Sequence, residues 1–128
     1  MSDCPREAAI RVLMMPRDTN HRGTIFGGVI LSHIDQAGAV GALQAGCAQV
    51  VTVAMDKVEF HAPVMVGDLV SFYTEVIARG RTSITVRVEV ESLRRYGGSV
   101  QVTSADVTFV NVDDAGRPTA LPDAGAGA

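Results

Sequence analysis

Hydrophobic and polar positions change their period along this chain. Residues 10–15 (Ile-Arg-Val-Leu-Met-Met) predict a short first strand, which Pro16 ends because proline has no backbone donor to continue a ladder. Residues 16–24 are polar and aperiodic, a loop between two apolar segments, where functional groups tend to sit. From Gly27 to about Ala45, the residues Ile30, Leu31, Ile34, Ala37, Val40 and Leu43 recur at spacings of one, three and four, which predicts a helix. At 1.5 Å per residue it is roughly 28 Å long. Gly38 and Gly41 lie inside it, and each costs about 1 kcal/mol relative to alanine. Close backbone approach to a sheet wrapped around the helix is the simplest compensation.

After Gly46 the period falls to two. Residues 83–93 alternate strictly, with Ile84, Val86, Val88 and Val90 on one face and Thr85, Arg87, Glu89 and Glu91 on the other, a strand with one wet face. Residues 50–60 and 69–78 read as strands, and 100–112 alternates less cleanly. The segments Ala62-Pro-Val-Met-Val-Gly-Asp68, Arg79-Gly-Arg81 and Tyr96-Gly-Gly-Ser99 connect them, and the last two are hairpin signals that make the sheet antiparallel. Strands of up to 11 residues are about twice the usual length, enough for the sheet to curl around one helix. The expected fold is α+β, in the order β-α-β-β-β-β, with a curved antiparallel sheet around a single central helix. One domain is expected over residues 1–122, with frayed residues at its start and a disordered tail at 123–128. One helix covers only part of a two-faced sheet, so self-association is expected.

Composition narrows the function classes. The chain has 128 residues, 47 % hydrophobic and 20 % charged, which suffices for one core without disulfide or metal staples. The net charge is −3, and the ten arginines are spread from Arg6 to Arg117 without a basic run, so no nucleic-acid partner is expected. The strongest apolar stretch, residues 27–31, is far shorter than the ~18 residues of a membrane span. The first residues carry acids and no apolar core, unlike a signal peptide, and Cys4 and Cys47 form no ligand spacing. A cytoplasmic protein is expected.

Several residues carry possible chemistry. Asp35 lies mid-helix on or beside the apolar face: either a boundary carboxylate paired with a strand arginine, or a general base or nucleophile facing a cleft. Asn20 is either an Asx cap or an amide that orients water or a carbonyl. Gly27-Gly28 opens the helix, either for tight-turn geometry or to offer bare N–H groups to an oxyanion. Gly28 and Asp35 are seven residues apart, about 10 Å along a helix axis, too far to meet one tetrahedral carbon. A site that uses both is therefore built from two protomers. Arg79-Gly-Arg-Thr-Ser83 is either a solvated hairpin or a cradle for a phosphate-bearing ligand. Ile30, Val58 and Phe60 either pack the core or line an apolar channel. His21, His33 and His61 have no zinc spacing, and Ser32 lacks the Gly-x-Ser-x-Gly elbow of serine hydrolases.

The segments Asp18-Thr-Asn20, Phe26-Gly-Gly28, Leu31-Ser-His-Ile-Asp-Gln-Ala-Gly38, Val53-Ala-Met-Asp-Lys-Val-Glu-Phe60, Pro63-Val-Met-Val-Gly-Asp68, Gly80-Arg-Thr-Ser83 and Gly116-Arg-Pro118 before Leu121-Pro122 together resemble the acyl-CoA hydrolase subfamily of hot-dog-fold thioesterases. The resemblance runs from about residue 12 to 122. It implies hydrolysis of an acyl-CoA to free acid and CoA without metal or other cofactor, by dimers that commonly assemble as trimers of dimers. By position, Asp35 matches the catalytic carboxylate, Asn20 its partner across the dimer interface, and Gly28 the N–H donor to the thioester oxygen. Phe26, Gly27 and Phe60 fall beside the substrate, and Arg81, Thr82 and Ser83 where the family contacts CoA. Val29 and His33 depart from what relatives often carry, and Lys57 is the only lysine, so phosphate contacts fall mostly to arginine. The alternatives are a hot-dog hydratase or dehydratase using His21 or His33, and an acyl-CoA-binding sensor, for which residues 1–9 are too short and acidic to supply a DNA-binding segment.

Overall fold

A computed structural model describes residues 6–122; the tail expected at 123–128 lies outside the described residues. Strand β1 (Ile10–Leu13) is followed by a 3-10 turn at Pro16–Asp18, helix α1 (Gly27–Gln44), and strands β2 (Val50–Phe60), β3 (Leu69–Arg79), β4 (Ser83–Leu93) and β5 (Ser99–Asn111). The expected element order therefore holds, with two differences. Strand β1 ends at Leu13 because Met14 turns inward, 1 % exposed, and its N–H bonds the Asp68 carbonyl. The polar loop has local order at its start, where the Asp18 carboxylate accepts the Met15 N–H at 2.9 Å.

All neighbours in the sheet are antiparallel, in the order β1-β3-β4-β5-β2. The hairpins at 79–83 and 93–99 join β3 to β4 and β4 to β5, as their glycines predict. Residues 61–68 instead carry the chain across the sheet from the β2 edge to β3. Register shifts at Val53, at Lys57-Val58 and at Ile77 add bulges, which increase local twist and let long strands curve. Lys57 has φ +54°, inside the second bulge of β2.

The concave face holds the core. Ile84, Val86, Val88 and Val90 of β4 are almost fully buried beneath α1, while Thr85, Arg87, Glu89 and Glu91 are half-buried on the outer face. Burial of each such side chain stabilises by roughly 1.5–3 kcal/mol. The interior helix glycines are explained by contact. A methyl group on Gly38 would stand 2.9 Å from the Phe109 ring, and one on Gly41 3.0 Å from the Thr74 hydroxyl. The helix is thus drawn onto the sheet more closely than alanine would allow.

Candidate active site

The start of α1 is shaped by the loop before it. Thr19 and Ile25 form an isolated antiparallel bridge, and the Phe26 N–H bonds the Asp18 carbonyl at 2.8 Å, so the chain enters the helix from a closed loop. Phe26 is the N-cap and contributes no side-chain hydrogen bond. The first N–H groups of a helix lack intrahelical partners and carry its positive dipole end. Among the described residues those of Gly27 and Gly28 receive no capping side chain from the N-cap. The Phe26 ring, 56 % exposed, lies over Gly28, where a methyl group would stand 2.6 Å from it.

Beside this helix start is a cleft of about 270 Å³ walled by Ile25, Gly27, Ile30, Phe60, His61 and Val64. Phe60 touches Gly27, with a ring atom 3.5 Å from where a Gly27 methyl group would sit. Ile30 is 2 % exposed and is both core residue and cleft wall, whereas Phe60 is 53 % exposed. Asp68 secures the far wall. Its Oδ2 accepts the Met65 N–H at 3.0 Å, the Ser92 hydroxyl at 2.7 Å and the Arg94 guanidinium at 2.6 Å, and Arg94 also donates to the Pro63 carbonyl at 2.9 Å. Burial raises the Asp68 pKa, but those three donors and the Arg94 charge outweigh it and hold the carboxyl below its ordinary range.

Asp35 is half-buried on α1, and its Oδ1 accepts the Thr52 hydroxyl of β2 at 2.6 Å. The strand arginine that position alone allowed is not its partner: among the described residues Asp35 makes no ion pair. Thr52 is the site residue that sequence reasoning missed, and the Val51-Thr-Val53 run offered no sign that its hydroxyl faces the helix. Asn20 does what an Asx residue does. Its Oδ1 accepts the N–H groups of Arg22 and Thr24 at 2.8 and 3.3 Å, and its Nδ2 donates to the Thr24 hydroxyl at 3.0 Å. An amide carries two N–H donors, so one remains uncommitted among the described residues.

The other sequence candidates separate in space. Phe26, Gly27, Gly28 and Phe60 gather at one end of the helix. Arg81, Thr82 and Ser83 lie at the other end of the sheet. The Thr82 carbonyl accepts the Asn111 N–H and Asn111 faces Val50, whereas Phe60 faces Thr103, eight residues and roughly 26 Å away along β5. Arg79 is engaged, donating to the Pro122 carbonyl at 3.0 Å, so within this hairpin Arg81 is the exposed arginine without such a bond. His33 bonds the Val29 carbonyl at 2.8 Å and packs 5.7 Å from the Phe72 ring, away from the cleft. Burial pushes the Cys47 thiol up, with Arg79 opposing, so it stays protonated and is a poor nucleophile. Among the described residues no three His, Cys, Asp or Glu side chains converge on a metal position, and no helix is long and apolar enough to cross a membrane.

The curved antiparallel sheet around a central helix is shared with known proteins. The family model of the thioesterase superfamily matches residues 22–99. The chain is 39 % identical over 127 residues to the acyl-CoA thioester hydrolase YciA of Salmonella typhimurium, covering 95 % of this chain and 96 % of that one. A hexameric hotdog-fold thioesterase of Campylobacter jejuni superposes with a TM-score of 0.86 at 44 % identity, covering 91 % of each chain. The acyl-CoA hydrolase of Staphylococcus aureus, solved with butyryl coenzyme A, coenzyme A and coenzyme A disulfide, superposes with a TM-score of 0.80 at 34 % identity, covering 88 % of this chain and 70 % of that one. This chain belongs to the thioesterase superfamily and has its hot-dog fold. Within that superfamily it groups with the acyl-CoA thioester hydrolases.

Proposed function

We propose that this protein hydrolyses acyl-CoA thioesters to a free carboxylic acid and CoA, without a cofactor, in sites shared between two copies of the chain. The observation that carries the reading is the placement of Asp35 on Thr52 of β2 while Gly28 starts the same helix about 10 Å away. Strand β2 is the outer strand of the sheet, and Val51, Val53, Val58 and Phe60 are between 37 and 56 % exposed along it. A long apolar edge invites another strand. Antiparallel pairing of β2 with its copy sets the Val50 end of one chain beside the Phe60 end of the other. Asp35 of one protomer then approaches the glycine helix start and Asn20 of its partner, and each 79–83 hairpin approaches the partner's cleft. The hexameric relative supports assembly of three such dimers.

In this site the thioester carbonyl oxygen docks on the Gly28 N–H, where the helix dipole favours the tetrahedral oxyanion. The free N–H of Asn20 holds the attacking water or the carbonyl. Thr52 fixes one oxygen of Asp35; the other either takes a proton from a water whose oxygen adds to the carbonyl carbon, and returns that proton to the CoA thiolate as the C–S bond breaks, or itself attacks the carbon, expelling the thiolate, to form a mixed anhydride that water then hydrolyses to the free acid and the regenerated carboxylate. Phe60 and Ile30 offer the acyl chain an apolar wall. Arg81, Thr82 and Ser83 offer the nucleotide end of CoA one guanidinium and two hydroxyls. The packing of His33 against Phe72 gives the hydratase reading no support.

The test is thiol release from a panel of acyl-CoAs running from acetyl to palmitoyl, with wild type, Asp35→Asn, Asn20→Ala and a mixture of the two variants refolded together. Each variant alone is expected to be nearly inactive. Random pairing restores one intact site to each mixed dimer, so the mixture recovers about a quarter of wild-type activity. No release from any thioester by wild type that binds CoA would favour the sensor reading. No recovery in the mixture would overturn the shared site.

A further inference from the structure

Residues 118–122 fold back along the protein and meet the hairpin that the proposed reading assigns to CoA. The segment lies within the single domain expected over residues 1–122, after the turn at Asp113. Asp113 turns the chain with its own carboxylate, whose Oδ1 accepts the N–H groups of Ala115 and Arg117 at 2.9 Å each. Val112 and Pro118 then form a bridge, and Leu121 packs against the core.

Two bonds join this strap to the hairpin, and a third joins the hairpin to the end of β5. The Leu121 N–H donates to the Arg81 carbonyl at 2.9 Å, the Arg79 guanidinium donates to the Pro122 carbonyl at 3.0 Å, and between them the Asn111 N–H donates to the Thr82 carbonyl at 2.8 Å. Asn111 links the two sides. Its Nδ2 donates to the Ala120 carbonyl at 3.1 Å and, at 3.5 Å, to that of Thr119, and its own carbonyl accepts the Thr119 N–H. Both carbonyls at the hairpin tip are therefore held, one by the strap and one by the residue that grips the strap. Among the described residues the exposed Arg81 side chain and the half-buried Thr82 and Ser83 hydroxyls are left without hydrogen bonds.

Asn111 is 5 % exposed, and among the described residues its Oδ1 has no hydrogen-bond partner. An amide turned the other way would set that oxygen against two carbonyls, so the strap dictates the orientation. A valine would fill the same strand position without leaving a buried acceptor unpaired, so packing alone does not account for asparagine here.

We infer that Asn111 is a positioning residue for CoA binding: by gripping the 118–122 strap it sets the geometry in which Arg81, Thr82 and Ser83 meet the phosphate-bearing end of the substrate. This rests on the reading of the 79–83 hairpin as the CoA-contacting segment. The group recognised is the nucleotide phosphate; the acyl chain and thioester lie at the other end of the shared site. Loss of the grip therefore alters KM for substrates that carry the nucleotide and leaves the chemical step alone.

The experiment compares Asn111→Ala, Leu121→Ala and Arg81→Ala with wild type on a short-chain acyl-CoA and on the matching acyl-pantetheine, which has the same thioester but no nucleotide. Asn111→Ala and Leu121→Ala are both expected to raise KM for the acyl-CoA about tenfold with kcat held, and to leave both parameters for the pantetheine thioester within about twofold. Leu121 lies outside the sheet ladder, so its variant tests the strap even if Asn111→Ala folds poorly. Unchanged KM for acyl-CoA in a folded strap variant overturns the inference, as does a parallel fall in kcat on both substrates, the mark of general structural damage. Arg81→Ala separates the two levels. If it raises KM for acyl-CoA while the strap variants do not, the hairpin reading stands and the strap inference falls; if Arg81→Ala also leaves KM unchanged, both fall.

Discussion

The Thr52 hydroxyl on the edge strand donates a 2.6 Å hydrogen bond to Oδ1 of Asp35 on the central helix. This one bond ties the carboxylate to the strand whose outer side is open, and it leaves the second carboxylate oxygen without a partner among the described residues. Asp35→Asn keeps the shape and removes the base, so kcat should fall by about 10³-fold or more with little change in KM. Thr52→Val keeps the volume and releases the carboxylate, and kcat should fall about tenfold, since a hydrogen bond to a charged group is worth roughly 1.5–3 kcal/mol. Stopped or steady-state thiol release checks both. Near-normal turnover in Asp35→Asn would remove Asp35 from the mechanism.

Gly28 admits a methyl group only if the Phe26 ring moves from 2.6 Å away, and that ring is exposed enough to swing. Gly28→Ala should therefore fold, with its melting temperature within a few degrees of wild type. The displaced ring and the added methyl crowd the N–H at the helix start. Loss of one oxyanion donor typically costs about 10²–10³ in kcat, and a fall of that order is expected here. Retained kcat with a fully folded variant would mean that the oxyanion is held elsewhere.

Asp68 sets an acid limit on stability. Its carboxyl is held below the ordinary range in the folded chain, so the folded-state pKa is lower than the unfolded one. The resulting stabilisation is present at pH values above the unfolded value of about 4 and is lost as the pH falls through the folded value. Asp68→Asn removes the charge opposite Arg94, whose side chain is only 22 % exposed, and should cost about 2–4 kcal/mol at neutral pH. Urea melts at a series of pH values should show the gap between variant and wild type narrowing below about pH 4. A constant gap across that range would assign the cost to packing instead.

The open edge of β2 should carry self-association. Val51 and Val53 are 46 and 56 % exposed on that strand. Val51→Lys with Val53→Lys places charged side chains along the apolar pairing strand, a standard way in which proteins block edge pairing. The expected outcome is a fall in mass by light scattering to that of one chain, with unchanged circular dichroism and loss of thiol release. An oligomer of undiminished mass would place the interface elsewhere.

The element order, the two hairpins and the inward face of β4 were legible in the sequence because each depends on local period and turn chemistry. Gly38 and Gly41 signalled close approach of helix to sheet, and the rings and hydroxyl they meet bear that out. The seven-residue separation of Gly28 and Asp35 was itself sequence information, since helix rise is nearly constant. Tertiary structure alone decided the rest. Thr52 reaches Asp35 through a contact between a helix and a strand edge, Asp68 collects donors from Met65, Ser92 and Arg94, and Asn111 grips the 118–122 segment. No period or motif encodes such partners, because a side-chain hydrogen bond between distant residues depends on how the chain crosses itself. The strand order β1-β3-β4-β5-β2 likewise required the fold, since the crossing made by residues 61–68 is what leaves β2 at the edge and its apolar side open.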